Sequence, residues 1–318
     1  MKQVDNMKGG KKELSVIITV TERYDPVRDV FYFYKQGLEA AGKSYEIIYV
    51  LDGSYPDVLS ELEKIQESEQ FTIITLAKKF GEATALNAAF SVATSDIILT
   101  LPAYLQTDAR DIPALVNAID GCDMVMARRY PRKDSFFNGL QSRVFNSLLR
   151  SISDLEIHDA GCSARIFRRQ VVDEVPLYGD LHRFYPVLVY QYGFHVTEIK
   201  VTQNESDAFR RVYAPGIYMR RLLDLLTVFF LVKFTKKPLR FFGLIGTVLA
   251  GIGTIITTVL VSERLFFDVA LANRPALIMG SLLIVLGVQI IAIGLIGEII
   301  IFTHAKDLKE YKVDRIIN

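Results

Sequence analysis

The sequence predicts an α/β domain with a mostly parallel, doubly wound sheet, followed by interfacial helices and two transmembrane helices. Two observations carry this prediction. From residue 14 onward, short apolar runs alternate with amphipathic helical segments, which is the pattern of strand–helix–strand units. In the last third lie two uncharged apolar stretches, Phe241–Val261 and Ala276–Gly297, and each is long enough to cross a hydrocarbon core of roughly 30 Å.

The strands are predicted from short apolar runs that are bounded by turn residues. Pro102 ends the fourth of them, because proline has no N–H to donate to a sheet ladder. The predicted strands are Leu14–Val20, Tyr45–Val50, Phe71–Leu76, the first half of Asp96–Gln106, Met124–Ala127, Gly161–Phe167 and Val196–Val201.

The helices are predicted from apolar residues at helical spacing, as with Val27, Val30, Phe31 and Leu38 in the first of them. In an open parallel sheet, ligands bind just past the carboxyl ends of the strands, so Pro102 to Asp108 should border any site. The predicted helices are Asp25–Ala41, Tyr55–Ser68, Gly81–Thr94, Ile112–Ile119, Ser135–Ser153, Gln170–Val175 and His182–Tyr192.

Composition narrows the class of protein. The net charge of +1 over 318 residues gives no electrostatic support for a nucleic-acid partner. The two cysteines, Cys122 and Cys162, lie far apart and suggest neither a disulfide framework nor a cysteine metal site. Residues 1–13 are polar and rich in lysine, so we expect a flexible tail there and no signal peptide.

The shift in composition divides the chain into regions. We expect an α/β domain over 14–213, juxtamembrane interfacial helices over 214–240, two transmembrane helices over 241–302 and a tail over 303–318. Six Lys and Arg residues lie in the segment from Arg220 to Arg240 just before the first span, four follow the second, and two lie in the loop between the spans. The positive-inside rule therefore places the α/β domain and both termini in the cytoplasm.

Two motifs carry a resemblance to a known family. Asp159-Ala160-Gly161-Cys162-Ser163-Ala164-Arg165, preceded by a basic segment from Arg129 to Ser135, is similar to a run Asp-x-Gly-Cys-x-x-Arg. Lys79-Phe80-Gly81, followed by Ala85-Leu86-Asn87, is similar to an Asn-Phe-Gly and Ala-Leu-Asn segment. Both resemble glycosyltransferase family 2, in the membrane-anchored branch that loads sugars onto polyprenyl or dolichyl phosphate. The resemblance runs from about Leu14 to Glu310 and implies a GT-A fold, which is Rossmann-like.

The resemblance implies a role for each matched residue. The catalytic candidates are Asp159 and Arg165, although a purely structural Asp159 tied to Arg165 is the alternative. Lys78 and Lys79 could equally be solvated, and Asp52-Gly53-Ser54 is also a common turn. The donor-binding candidates are Glu22, Asp52, Lys78, Lys79, Gly81, Tyr104 and Gln106. The candidates for binding phosphate or the acceptor are Arg129, Arg132, Ser135, Arg183, Arg210 and Arg211.

The donor side departs from the family pattern. Relatives end the fourth strand in Asp-Ala-Asp-Leu-Gln, whose two aspartates hold the metal on the donor diphosphate, but this chain has Pro102-Ala103-Tyr104-Leu105-Gln106. Mg²⁺ or Mn²⁺ would need at least one carboxylate, which Asp108 or Asp111 would have to supply. Thr19 to Arg23, Leu51 and Ser206 to Val212 also depart from the pattern. We therefore predict no certain cofactor and no metal ligand in register.

The resemblance implies that a polyprenyl phosphate oxygen attacks the anomeric carbon of a nucleotide sugar at the cytoplasmic face of the cell membrane, with inversion. The altered donor motifs leave three hypotheses: a metal-independent transferase, an inactive homologue that binds lipid phosphate or partners an active enzyme, and a two-span transporter. No charge within the spans supports a transport path. Relatives often form tetramers, so a homo-oligomer is also expected.

Overall fold

A computed structural model describes residues 12–132, 155–177, 181–207, 238–267 and 274–304, together with single residues at 147, 179, 223 and 270. The described residues divide into two compact units, one on each side of the boundary between Val228 and Phe229. The first is the predicted α/β domain with its mostly parallel sheet, and the second contains two long apolar helices.

Seven strands form one sheet in the order β3-β2-β1-β4-β6-β5-β7. Six of them run in the same direction, while β6 runs antiparallel to its neighbours β4 and β5. The strands are β1 Leu14–Val20, β2 Tyr45–Leu51, β3 Thr72–Thr75, β4 Ile97–Pro102, β5 Met124–Arg129, β6 Arg165–Arg168 and β7 Val196–Val201.

Among the described residues of the first unit, six helices accompany these strands. Helix α1 illustrates the sequence logic: it begins just after Pro26 and buries Val27, Val30, Phe31 and Leu38 on one face. The six are α1 Val27–Ala40, α2 Pro56–Gln66, α3 Glu82–Val92, α4 Ile112–Asn117, α5 Arg169–Glu174 and α6 Tyr185–Gln191.

Two predicted boundaries are wrong. The strand predicted from Gly161 begins at Arg165, because side chains hold the residues before it in a turn. The helix predicted from His182 begins at Tyr185, after a short 3-10 turn over Leu181–Phe184, because proline near its start favours a new first turn there. Apart from the single residues 147 and 223, the predicted helix Ser135–Ser153 and positions 214–237 of the predicted juxtamembrane segment lie outside the described residues.

The core of the first unit surrounds the central strands. Every residue of β1 is buried, and apart from Ser15 and Thr19 its side chains are apolar on both faces of the sheet. Because β6 is antiparallel, its first residue lies at the same edge of the sheet as the carboxyl ends of β4 and β5. The turn before β6, which holds Asp159, therefore reaches the edge where ligands bind in such sheets.

The second unit is an antiparallel helix pair, α7 Pro238–Phe267 and α8 Pro275–His304. Glycines bring the two helices close together. A Cβ on Gly246 would lie 2.5 Å from the carbonyl oxygen of Gly287, and one on Gly253 would lie 2.5 Å from that of Gly280. Most other side chains of the pair are apolar and exposed, with only 17% and 11% of the most apolar 18-residue windows buried. Both helices are long and apolar enough to cross a membrane.

Candidate functional site

The candidate site lies where the strand order reverses. β1 leads to β2 and β3 on one side of the sheet, and β4 lies on its other side. The loops after β1 and β4 therefore meet at a topological switch point, where open α/β sheets bind ligands. These loops contain Arg23 and Tyr104, and the loop after β2 contains Asp52.

Buried hydrogen bonds hold the loop after β4 in one conformation. The Asp25 N–H donates to the Ala103 carbonyl at 2.9 Å, and the Asp25 carboxylate accepts the Leu105 N–H at 2.9 Å. The Tyr34 hydroxyl, on α1, donates to the Tyr104 carbonyl at 2.8 Å. Burial raises the pKa of Tyr34 well above its ordinary value, so the hydroxyl keeps its proton for this bond. The loop from Ala103 to Leu105 is therefore rigidly positioned.

Asp52, a predicted donor-binding residue, lies directly after β2 and is 4% exposed. Its carboxylate accepts the N–H groups of Phe80 at 2.7 Å and Gly81 at 2.9 Å. Gly81 precedes α3 with φ +97°, a conformation that glycine adopts without strain. Asp52 and Gly81 are thus brought together, and the carboxylate fixes the turn that begins α3; their predicted roles in donor binding stay predictions.

Lys78 and Lys79 are exposed at the same edge. The Lys79 ammonium lies 5.6 Å from the centroid of the Tyr55 ring, and the Lys78 ammonium lies 5.2 Å from that of Phe80. These contacts make both lysines part of a mixed aromatic and cationic surface. Glu22 is also exposed, so its predicted contact with the donor stays a prediction.

Gln106 connects the loop after β4 to the Asp159 motif. It is 1% exposed, and its Nε2 donates to the Tyr104 hydroxyl at 2.9 Å. Its Oε1 accepts the Ser163 N–H at 2.8 Å and the Cys162 thiol at 3.4 Å. Burial raises the pKa of Cys162 to about 12, so the thiol stays neutral and acts as a weak donor. Gln106 is therefore a bridge between the two halves of the site.

Five charged residues form a continuous chain across the site, which we call the Arg–Asp network: Arg23, Asp207, Arg129, Asp159 and Arg132. Arg129 donates to both carboxylate oxygens of Asp159, at 2.8 and 2.9 Å, and to Asp207 at 2.9 Å. Asp207 also accepts Arg23 at 2.9 Å, and Arg132 lies 3.5 Å from Asp159. The two carboxylates are 1% and 2% exposed, whereas the terminal arginines, Arg23 and Arg132, are 45% and 28% exposed.

The buried ion pair stays charged. Burial raises the pKa of Asp159, but the hydrogen bonds and charge of Arg129 outweigh that effect and leave the pKa below its ordinary value. Burial likewise lowers the pKa of Arg129, and the bonds to Asp159 outweigh it and leave the pKa raised. A carboxylate held in this way orients its arginine and is a poor proton acceptor at neutral pH.

Arg165 has a different environment from the one predicted. Its guanidinium is buried and donates to the backbone carbonyls of Cys162 at 3.1 Å, Ala160 at 3.1 Å and His182. Burial lowers its pKa. The Asp159 carboxylate pairs with Arg129 rather than with Arg165. This corrects the alternative in which Asp159 is a structural carboxylate tied to Arg165. These contacts stabilise the turn of the Asp159 motif, and a catalytic role for Arg165 stays a prediction.

Sequence reasoning missed three residues that shape the site. Arg23 and Asp207 belong to the Arg–Asp network, and Glu198 supports it from β7. The Glu198 carboxylate accepts the N–H groups of His158 at 2.8 Å and Asp159 at 3.2 Å. A single acid in an edge strand gives no sequence signal of this kind. The pairing of Asp207 with Arg23 and Arg129 could not be predicted from the sequence either, because 184 positions separate Asp207 from Arg23.

The described acids form no ready cluster for a divalent metal ion. Within the described ranges, no group of three His, Cys, Asp or Glu side chains could hold one. Asp108 pairs with Arg110 at 2.6 Å, and Asp111 accepts the Thr202 N–H at 2.6 Å. Both carboxylates named as possible substitutes therefore have other partners. The metal dependence of the site stays a prediction.

The remaining candidates differ in how far they can be placed. Arg183 is exposed in the 3-10 turn before α6. Next to it, His182 pairs with Glu82 at 3.2 Å. Ser135, Arg210 and Arg211 lie outside the described residues, so their predicted contacts with phosphate stay predictions.

Comparison with known proteins assigns the chain to a family. Residues 15–176 match the family model described as glycosyl transferase family 2. The chain is 28% identical over 302 residues to dodecaprenyl-phosphate galacturonate synthase of Rhizobium johnstonii, covering 93% of this chain and 89% of that protein. It is 29% identical over 312 residues to undecaprenyl-phosphate 4-deoxy-4-formamido-L-arabinose transferase of an Enterobacter species, covering 96% and 94%.

Solved structures give the same fold. Glucosyl-3-phosphoglycerate synthase from Mycobacterium tuberculosis, in complex with Mn²⁺, uridine-diphosphate-glucose and phosphoglyceric acid, superposes with a TM-score of 0.52. The match covers 69% of this chain and 79% of that one at 12% identity, so it supports the fold alone. The predicted GT-A architecture is confirmed, and the family model spans half of the chain. This protein belongs to glycosyl transferase family 2.

Proposed function

We propose that this protein transfers a sugar from a nucleotide sugar to polyprenyl phosphate at a membrane surface, and that it does so without a divalent metal ion. The observation that carries the proposal is the length of the similarity. Two relatives named for polyprenyl-phosphate chemistry match 93% and 96% of this chain, which includes both apolar helices. A lipid-linked acceptor also gives those helices a purpose, because it keeps the acceptor in the bilayer beside the enzyme.

Membrane anchoring is supported by exposure. Apolar side chains such as Phe266 and Phe302, each 80% exposed, cover α7 and α8. Surfaces of that size and polarity are unfavourable in water and favourable in lipid. In the segments that flank the two spans, 214–240 and 303–318, lysines and arginines outnumber those between the spans by ten to two, which supports a cytoplasmic site and cytoplasmic termini. The domain bounds predicted above follow the same division.

The proposed reaction needs little acid–base chemistry. A phosphate monoester has its second pKa near 6, so the acceptor oxygen is already anionic at pH 7. That oxygen forms a bond to the anomeric carbon. The bond from this carbon to the diphosphate oxygen breaks, and its electron pair leaves with the nucleoside diphosphate. The chain's task is to position two phosphates and to neutralise charge on the leaving group.

The Arg–Asp network can position the acceptor phosphate. Asp159 and Arg129 form a buried ion pair. Arg132 lies next to this pair, and 28% of its side chain is exposed. Guanidinium groups bind phosphate through paired N–H donors. We therefore propose Arg132 as an acceptor-phosphate ligand and Asp159 as the residue that positions it through Arg129.

The alternative function is that of an inactive homologue which binds lipid phosphate. One observation favours it: the Asp52 carboxylate, a predicted donor ligand, already accepts two backbone N–H groups. In that case nucleotide sugars would not bind, whereas the acceptor side would keep its arginines.

One experiment separates the two. The full chain in lipid nanodiscs is incubated with undecaprenyl phosphate and radiolabelled UDP- and GDP-sugars, with EDTA or with Mn²⁺, and lipid-linked product is extracted. Product in EDTA that requires undecaprenyl phosphate supports the proposal. Arg132→Gln should reduce that product at least tenfold at subsaturating acceptor. Product only with Mn²⁺ would refute metal independence, and no product with any donor would favour the inactive homologue.

A further inference from the structure

Arg23 lies at the switch point, in the loop that follows β1. β1 ends at Val20, and Arg23 comes three residues later, beside the loop after β4. That loop has Tyr104 beside Arg23 and no carboxylate from Pro102 to Gln106. A guanidinium thus lies at the switch point, where open α/β sheets bind ligands.

Two contacts hold the Arg23 guanidinium in place. Its central carbon lies 3.9 Å from the centroid of the Tyr104 ring, within cation–π range. One terminal nitrogen donates to Asp207 at 2.9 Å. Tyr104 is itself fixed, because its hydroxyl accepts Gln106 and its carbonyl accepts Tyr34. Arg23 is therefore positioned before any ligand arrives.

The same guanidinium keeps most of its donors available. Arginine has five N–H donors, and the contacts found among the described residues use one of them. The side chain is 45% exposed. A guanidinium that is held by an aromatic ring on one face and by a carboxylate at one nitrogen, and is otherwise exposed, can bind a phosphate through a pair of parallel N–H bonds.

Arg23 shares its carboxylate partner with another arginine, which favours an anion beside it. Asp207 is shared between Arg23 and Arg129, and it neutralises Arg23 only in part. An aspartate at position 104 would cancel this charge, whereas the tyrosine ring supports it.

We infer that Arg23 binds the diphosphate of the nucleotide-sugar donor and neutralises the charge that develops on the leaving diphosphate, in place of a divalent metal ion. This inference rests on the proposed transferase function and names the residue that makes it metal-independent. When the bond from the anomeric carbon to the diphosphate breaks, the electron pair moves onto an oxygen that faces the guanidinium. No proton transfer is needed, because the cation stabilises the oxyanion directly.

A simpler explanation is that Arg23 and Asp207 form an ordinary surface ion pair, and partly exposed pairs of this kind contribute little. The two explanations differ in one measurable property. An arginine that binds diphosphate contributes to nucleoside diphosphate binding and not to nucleoside monophosphate binding. A surface ion pair contributes equally to both or to neither.

The test is calorimetric binding of UDP, GDP, UMP and GMP to the full chain in nanodiscs, with EDTA and separately with Mn²⁺. We expect the wild-type protein to bind one diphosphate in EDTA. Arg23→Gln should weaken that diphosphate about tenfold or more and change the matching monophosphate less than about twofold. Arg28→Gln is the matched control, because Arg28 is an exposed arginine near the Tyr32 ring on α1 and should change neither.

Each other outcome has a defined meaning. If Arg23→Gln behaves like Arg28→Gln, the inference is wrong and the transferase function stands. If the wild-type protein needs Mn²⁺ to bind diphosphate, the inference and the proposed metal independence are both wrong, and sugar transfer itself stands. Equal loss of both nucleotides also overturns it, since Arg23 would then maintain the shape of the site. No nucleotide binding at all would refute the proposed function itself. If Arg23→Gln does not fold, Arg23→Lys keeps the charge without the paired donors and should give a smaller, still diphosphate-selective loss.

Discussion

Replacing Arg129 with glutamine should destabilise the α/β domain far more than a matched change at the surface. Arg129 is 8% exposed and makes three charged hydrogen bonds, two to Asp159 and one to Asp207. Its removal leaves two buried carboxylates without their main partner. Breaking a buried pair by removing one partner costs about 3–5 kcal/mol.

The remaining contacts set the size of the effect. Asp207 keeps Arg23 at 2.9 Å and Gln203 at 3.0 Å, while Asp159 keeps Arg132 at 3.5 Å. These partners offset part of the loss, so we expect about 3 kcal/mol. With a urea dependence of about 1–3 kcal/mol/M, the midpoint of unfolding should fall by about 1–3 M.

The buried thiol of Cys162 provides the assay. It lies within the site and is 0% exposed, so a fluorogenic maleimide should label it only after the domain opens. Cys122→Ser leaves Cys162 as the single reporter. In that background, labelling is followed as urea increases, for the parent protein and for Arg129→Gln.

Arg110→Gln is the matched control for that measurement. Arg110 also forms a two-pronged pair with an aspartate, Asp108, but its side chain is 86% exposed. Solvent screens such a pair, so the midpoint should stay close to that of the parent protein. If Arg129→Gln lowers the midpoint of unfolding no more than Arg110→Gln does, the buried Arg–Asp network does not stabilise the domain, and the argument is refuted.

Three further predictions follow from the same geometry. Because the pKa of Asp159 is depressed in the folded state, the stability that its carboxylate contributes should be complete above about pH 4 and lost as the pH falls below that value. The difference in urea midpoint between wild type and Asp159→Asn should therefore shrink between pH 7 and pH 3, and a constant difference would contradict this. In native protein, a thiol reagent should modify Cys122 and leave Cys162 unmodified, because burial keeps the Cys162 thiol neutral and inaccessible. Mass spectrometry of labelled peptides checks this, and rapid modification of Cys162 would show that the site opens readily. Gly287→Val should lower the thermal stability of the detergent-solubilised chain, because even a Cβ at this position would lie 2.5 Å from a carbonyl oxygen of α7. Gly251→Val should not, because a Cβ there would meet no atom within 4 Å, and equal effects of the two changes would argue against close packing of α7 and α8.

The sequence alone determined the architecture and the family. Strand–helix alternation and two long uncharged stretches are local patterns, and each depends on residues that are neighbours along the chain. The run from Asp159 to Arg165 and the segment after Lys78 were recognisable for the same reason. Pro102 and Tyr104 stand where the resemblance implies two acids, and the altered metal site that this implies stays a prediction.

Only the tertiary structure decided how those residues combine. Asp159 pairs with Arg129 across 30 positions, and Asp207 joins Arg23 across 184, so neither contact leaves a local pattern. Asp52 proved to be a partner of backbone N–H groups 28 and 29 positions away, and Arg165 a donor to carbonyls. A residue type fixes which bonds a side chain can make. The fold fixes which partners it meets, because the carboxyl ends of β1, β2, β4 and β5 converge at one edge of the sheet.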